Sequence, residues 1–93
     1  MALVKLNDDM VFTIERTEKR VRLIVYKGGV ENVCRMETFK NIERFILSDE
    51  DRIFKGRLQL HKNVAGIGII VKGKLTGTIN AKEFLNCLEE IKS

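Results

Sequence analysis

Seven basic residues, Arg52, Lys55, Arg57, Lys62, Lys72, Lys74 and Lys82, occupy a window with no Asp or Glu, and all 13 acidic residues of the chain lie outside it. The formal net charge of +4 therefore hides a polarised distribution. Lysine and arginine gathered without interleaved acids repel one another, and a polyanion offsets that cost by giving up its condensed counterions. Anion binding is the chemistry this window suggests. Its candidate contact residues are Lys55, Arg57, His61, Lys62, Lys72 and Lys74.

The residues that could do other chemistry are sparse. His61 is the single histidine, and it has no cysteine or carboxylate near it in sequence. Cys34 and Cys87 form neither a CxxC pair nor a Cys/His cluster, so no metal site is expected. Both read as reduced, partly buried small hydrophobes. No pair of carboxylates has a spacing suited to acid–base work. Gly68-Ile69-Ile70-Val71-Lys72-Gly73-Lys74-Leu75 has the spacing of a nucleotide-binding P-loop, but Leu75 stands where Ser or Thr must ligate magnesium. Gly66-Ile67-Gly68 likewise runs into a strand and is no dinucleotide fingerprint. Neither a catalytic residue nor a cofactor is expected.

The elements that position the basic window follow from periodicity. Residues 1–9 read as a loosely attached start or a short edge strand. Met10, Phe12 and Ile14 alternate with Val11, Thr13 and Glu15, and Val21, Leu23 and Val25 with Arg22, Ile24 and Tyr26, which predicts a hairpin. Gly28-Gly29 supplies the positive-φ residues of a tight turn into a third strand at about 31–37. Over 38–47 two readings compete. Thr38 can cap a short helix with the apolar face Phe39, Ile42, Phe45 and Ile46, or Phe45-Ile46-Leu47 can form a short strand. Phe54, Leu58 and Leu60 then share one side of a fourth strand, with Lys55, Arg57 and His61 on the other. Lys62-Asn63 is a predicted turn. From Ala65 to Ile79 every odd position is apolar or glycine, the pattern of one long strand or two collinear ones. Gly73 and Gly77 mark bends or bulges within it. Asn80 and Glu83 predict a capped helix whose stripe is Ala81, Phe84, Leu85, Leu88 and Ile91.

The expected architecture is α+β, one domain over residues 1–93, with an antiparallel sheet of about five strands and the C-terminal helix packed on one face. A strand–turn–strand unit followed by a capped apolar segment occurs twice, with Thr38-Phe39-Lys40 and Asn80-Ala81-Lys82 at equivalent caps. If 38–47 is helix, this pattern resembles sheet-and-helix modules of the Whirly or Pur type, which implies single-stranded nucleic acid as partner and a dimer or tandem repeat. If it is strand, the pattern resembles a pleckstrin-homology-like barrel, which implies anionic lipid or a protein. The longest apolar run, Ile69-Ile70-Val71, is far short of the roughly 20 residues of a membrane helix. The start of the chain lacks the pattern of a signal peptide, so an intracellular, cytoplasmic location is expected. The functional expectation is a non-enzymatic nucleic-acid-binding module that uses a basic β-hairpin face over residues 52–79. A homodimer through a sheet edge is allowed for. The alternatives are a lipid- or protein-binding module and a lysine-rich face that serves only solubility.

Overall fold

Each apolar face read from the sequence has to be covered, and the chain does this with two sheets rather than one. A computed structural model describes residues 2–92. Strands β1 (Ala2–Lys5), β2 (Met10–Thr17), β3 (Arg20–Lys27) and β4 (Val30–Thr38) form one antiparallel sheet in chain order, followed by helix α1 (Phe39–Leu47). Strands β5 (Arg52–Ile53), β6 (Leu58–Asn63), β7 (Gly66–Val71) and β8 (Lys74–Ile79) form a second antiparallel sheet, followed by helix α2 (Ala81–Lys92). The α+β class and the antiparallel pairing are as expected. The single sheet of about five strands is corrected to two sheets of four.

The extra strands have identifiable origins. The start of the chain is an edge strand, because Ala2 and Val4 pair with Ile14 and Phe12 and extend the same apolar face. The predicted fourth strand folds back on itself. Ile53 pairs with Leu60 and Arg52 with His61, around a loop in which Phe54 takes φ 75°. The turn after it falls at Val64-Ala65, so Lys62 and Asn63 end β6 instead of forming the turn. The long alternation at 65–79 is a hairpin. Lys72 and Gly73 take φ of 51° and 84°, the pair of positive values that a two-residue primed turn requires.

Why the alternation concealed that hairpin is a matter of parity. Val71 pairs with Lys74, so the two-residue turn moves the inward set from odd to even positions. Thr76 is then left without a partner, between the pairs Ile70↔Leu75 and Ile69↔Gly77. This one-residue bulge moves the inward set back to odd positions. Gly77 and Ile79 therefore face inward again. Leu75 does not: it lies on the outer face, 60% exposed, over Gly68.

Of the two readings for 38–47 the helix is the one present, over Phe39–Leu47 with Thr38 as its cap. Thr38 Oγ accepts from Asn41 N at 3.1 Å, and Ile42, Phe45 and Ile46 are buried. Asn80 Oδ1 does the same for α2, accepting from Lys82 N at 2.8 Å and Glu83 N at 3.3 Å. The element order is thus four strands and a capped helix, twice over. A single buried cluster takes side chains from both sheets and both helices, including Phe12, Leu23, Phe45, Leu60, Ile69 and Phe84. The rings of Phe12 and Phe84 meet edge to face at 6.0 Å, which docks α2 on the first sheet. Lys92 of α2 closes on Glu43 of α1 at 3.1 Å.

Leu88 is fully buried in this cluster, so Leu88→Ala should destabilise the fold by about 2–4 kcal/mol. Asn80→Ala should cost about 1 kcal/mol through the lost cap. Denaturant midpoints check both, and an unchanged midpoint for Leu88→Ala would mean that α2 is not docked.

Candidate functional site

Parity also decides where the lysines go. Lys74 pairs with Val71 and Lys27 with Met10, so both share the side of their sheets that faces inward. Each stands at the end of its strand, beyond the last buried residue, where the two sheets part. Their ammonium groups therefore reach the mouth between the sheets. A groove of about 260 Å³ opens there, lined by Met10, Lys27, Asn32, Val71, Lys72, Lys74 and Thr76. Lys72 lies in the β7–β8 turn and reaches across, its Nζ donating to Asn32 Oδ1 at 3.2 Å. Among the described residues lining this groove there is no carboxylate.

Asn32 also lines a second groove of about 270 Å³, together with Glu31, Val33, Cys34, Arg35, Arg57 and Leu58. The shared Asn32 makes the two grooves neighbours along β4. Arg57 is fixed at this end of the second sheet because its carbonyl accepts from Lys72 N at 2.7 Å. Arg35 crosses from the first sheet, its guanidinium 4.7 Å from the Phe54 ring centre. Glu31 is the acidic member of the second groove, and it is engaged with Arg22 at 3.1 Å.

The six residues singled out by sequence are divided. Arg57, Lys72 and Lys74 come to the mouth between the sheets. His61 does not share a face with the lysines as the long-strand pattern suggested. It pairs with Arg52 and Gly68, bonds Gln59 Oε1 at 2.8 Å, and lies about 13 Å along the strand from Lys72 at ~3.3 Å per residue. Lys55 is exposed beside Arg52, Phe54 and Gln59. Lys62 pairs with Ile67 and so points inward. Its ammonium lies 4.7 Å from the Phe45 ring centre and donates to the carbonyl of Ser48, the residue that ends α1. A cation at a helix C-terminus is favourable, so Lys62 has a structural task there.

Three polar residues of the two grooves lie outside the basic face read from the sequence: Lys27, Asn32 and Arg35. Lys27 carries a signal after the fact, because Lys27-Gly28-Gly29 precedes β4 much as Lys72-Gly73 precedes β8. Nothing in the local pattern marks Asn32, whose placement depends on a bulge.

The thiols are both free. Contrary to the expectation of partial burial, Cys34 is exposed on the outer face of the first sheet, where its Sγ accepts from Arg22 Nε at 3.3 Å. Burial pushes the Cys87 thiol up, and Glu83 and Glu90 add to the effect. Among the described residues no group of three or more His, Cys, Asp or Glu side chains could hold a metal ion. No helix among them is long and apolar enough to cross a membrane. Set against known protein families, curated proteins and solved structures, the chain matches none.

Lys62→Ala should cost about 1 kcal/mol through the lost cation–π contact and helix-end bond, whereas Lys74→Ala should stay within about 0.5 kcal/mol. Denaturant midpoints again decide, and equal midpoints would contradict the inward position of Lys62. A thiolate is the species that alkylates, so Cys34 should label first at neutral pH and Cys87 only slowly, gaining as the pH rises past the usual thiol range. Mass spectrometry that finds Cys87 labelled as fast as Cys34, or the two joined, would refute that order.

Proposed function

We propose that this chain is a small non-enzymatic module that binds nucleic acid through the mouth between its two sheets, by contacts to phosphate rather than to base edges. The observation that carries this is the convergence of Lys27, Lys72 and Lys74 in one groove, with Arg57 and Arg35 in the groove next to it. These residues come from sites far apart in the chain. A lysine-rich face kept only for solubility gains nothing from drawing cations out of both sheets into one cleft. A backbone with a negative charge at every phosphate offsets the repulsion and releases counterions.

The helix at Phe39–Leu47 supports this reading over the lipid-binding alternative, which needed strand there. It also keeps the likeness to Whirly- and Pur-type modules, now with the strand-and-helix unit present twice, as an analogy of fold that does not by itself establish function. Base stacking has little to draw on. Tyr26 on the outer face of the first sheet and Phe54 under Arg35 are the half-buried aromatics nearest to the two grooves' strands, so affinity should rest mainly on charge. Pairing of two copies through a sheet edge belongs to the same proposal: β4 is an edge strand with Val30 and Met36 exposed.

Titration against single-stranded DNA, duplex DNA, RNA and anionic vesicles over a range of salt concentrations tests the proposal. Lys72→Ala or Lys74→Ala should weaken binding by similar factors across unrelated sequences, and each should lower the slope of log affinity against log salt by about 1. Charge reversal at Lys5 or Lys92 should matter much less. Absence of nucleic-acid binding at low salt, where such attraction is strongest, would overturn the proposal. Binding to anionic vesicles alone would put the lipid reading in its place.

A further inference from the structure

The two hairpins that border the groove are copies of one design. Adding 44 to the residue numbers of the first gives the second. Val25↔Val33 becomes Ile69↔Gly77, Tyr26↔Glu31 becomes Ile70↔Leu75, and Lys27↔Val30 becomes Val71↔Lys74. Both hairpins turn on two residues of positive φ, Gly28 and Gly29 at 57° and 81°, Lys72 and Gly73 at 51° and 84°. Both skip one residue at the same step, Asn32 in β4 and Thr76 in β8. The two skipped residues line the same groove, along with a lysine from each hairpin.

We infer that this groove is a discrete oxyanion site that seats a single phosphate group, with Lys27, Lys72 and Lys74 supplying charge and the Asn32 amide supplying a neutral donor, while the Thr76 hydroxyl is spent on the Ile69 carbonyl at 2.8 Å. A bulge re-aims one side chain out of the regular alternation. Here two equivalent bulges, at Asn32 and Thr76, border one groove, and the Asn32 side chain is held towards it by Lys72 Nζ at 3.2 Å. Lysines alone bind a polyanion without regard to its position, whereas an added neutral donor fixes where one phosphate sits.

The backbone of Lys72 points the same way. A left-handed conformation favours glycine, and the equivalent turn position in the first hairpin is Gly28. The second hairpin instead places a lysine there, with φ of 51°, and aims its ammonium at Asn32. Glu18 and Phe54 take positive φ as well, but of the three only Lys72 lines this groove. Lys72 is thus the residue through which the site can be removed without harming the fold.

The phosphate is assigned to a nucleic-acid strand, and in that respect the site rests on the function proposed above. Inorganic phosphate is the first probe, followed by amide NMR shifts at ionic strength matched with chloride. Shifts should concentrate at Asn32, Lys72, Gly73 and Thr76. A single-stranded thymidine oligomer should shift the same amides. Lys72→Gly should leave the melting temperature unchanged or raised while weakening phosphate binding about tenfold, as loss of one charge-assisted hydrogen bond does. Asn32→Ala should weaken phosphate binding without changing the net charge. If the oligomer binds but phosphate shifts these amides no more than those of Lys5 and Lys92, the discrete site is refuted and the nucleic-acid proposal stands. If phosphate binds there and no nucleic acid does, the site stands and its assigned source is wrong.

Discussion

Which face of a sheet a residue occupies is a question of parity, and parity is the constraint on which the rest of this structure depends. Each sheet buries one face against the shared cluster, so every turn and bulge that changes parity must be matched by the sequence after it. The β3–β4 and β7–β8 hairpins both change parity twice, once at a two-residue turn and once at a skipped residue. Between those two points lies a short stretch whose faces are exchanged. Lys74 is turned inward there, and Leu75 and Glu31 outward. The bulges serve the core, by returning Val33, Gly77 and Ile79 to it, and serve the groove, by freeing Asn32 and Thr76 from the alternation.

The same constraint separates structural charges from those left available. Lys62 faces inward and is used up at the end of α1, over Phe45. Arg22 is held by Glu15 and Glu31 on the outer face of the first sheet. Lys92 ties the two helices together through Glu43. These pairs are partly exposed and each contributes little to stability on its own. Glu31 is thereby neutralised by Arg22 where it borders the second groove, and Lys27 and Lys74 face no carboxylate among the described residues that line theirs.

Much of the fold was legible in the sequence wherever periodicity acted alone. Met10, Phe12 and Ile14 opposite Val21, Leu23 and Val25, the Gly28-Gly29 turn, the capped helix at Thr38 and the stripe of α2 are all local patterns, and each is present. Legibility failed where two local events cancelled. The turn at Lys72-Gly73 and the bulge at Thr76 each shift the pattern by one, and their sum leaves an unbroken alternation from Ala65 to Ile79. Loop closure at Phe54–Arg57 was hidden in a different way, because Phe54 packs against the core as its apolar character suggests and yet takes a left-handed conformation beneath Arg35 that breaks the strand. For the candidate site, sequence supplied Arg57, Lys72 and Lys74 through charge. It could not supply Lys27, Asn32 or Arg35, because these belong to the other sheet and meet the window only through tertiary packing.

Lys27 therefore bears most directly on the central claim that the two sheets share one binding mouth. It lies 25 residues before Arg52, the start of the acid-free basic window, yet lines the same groove as Lys72 and Lys74. The decisive measurement compares nucleic-acid affinity at low salt for Lys27→Gln and Lys55→Gln, each of which removes one exposed positive charge. Lys27→Gln should weaken binding as much as Lys74→Gln does, with Lys55→Gln close to wild type. Loss of binding in Lys55→Gln with Lys27→Gln unchanged would place the contact surface on the outer side of the second sheet and contradict the account.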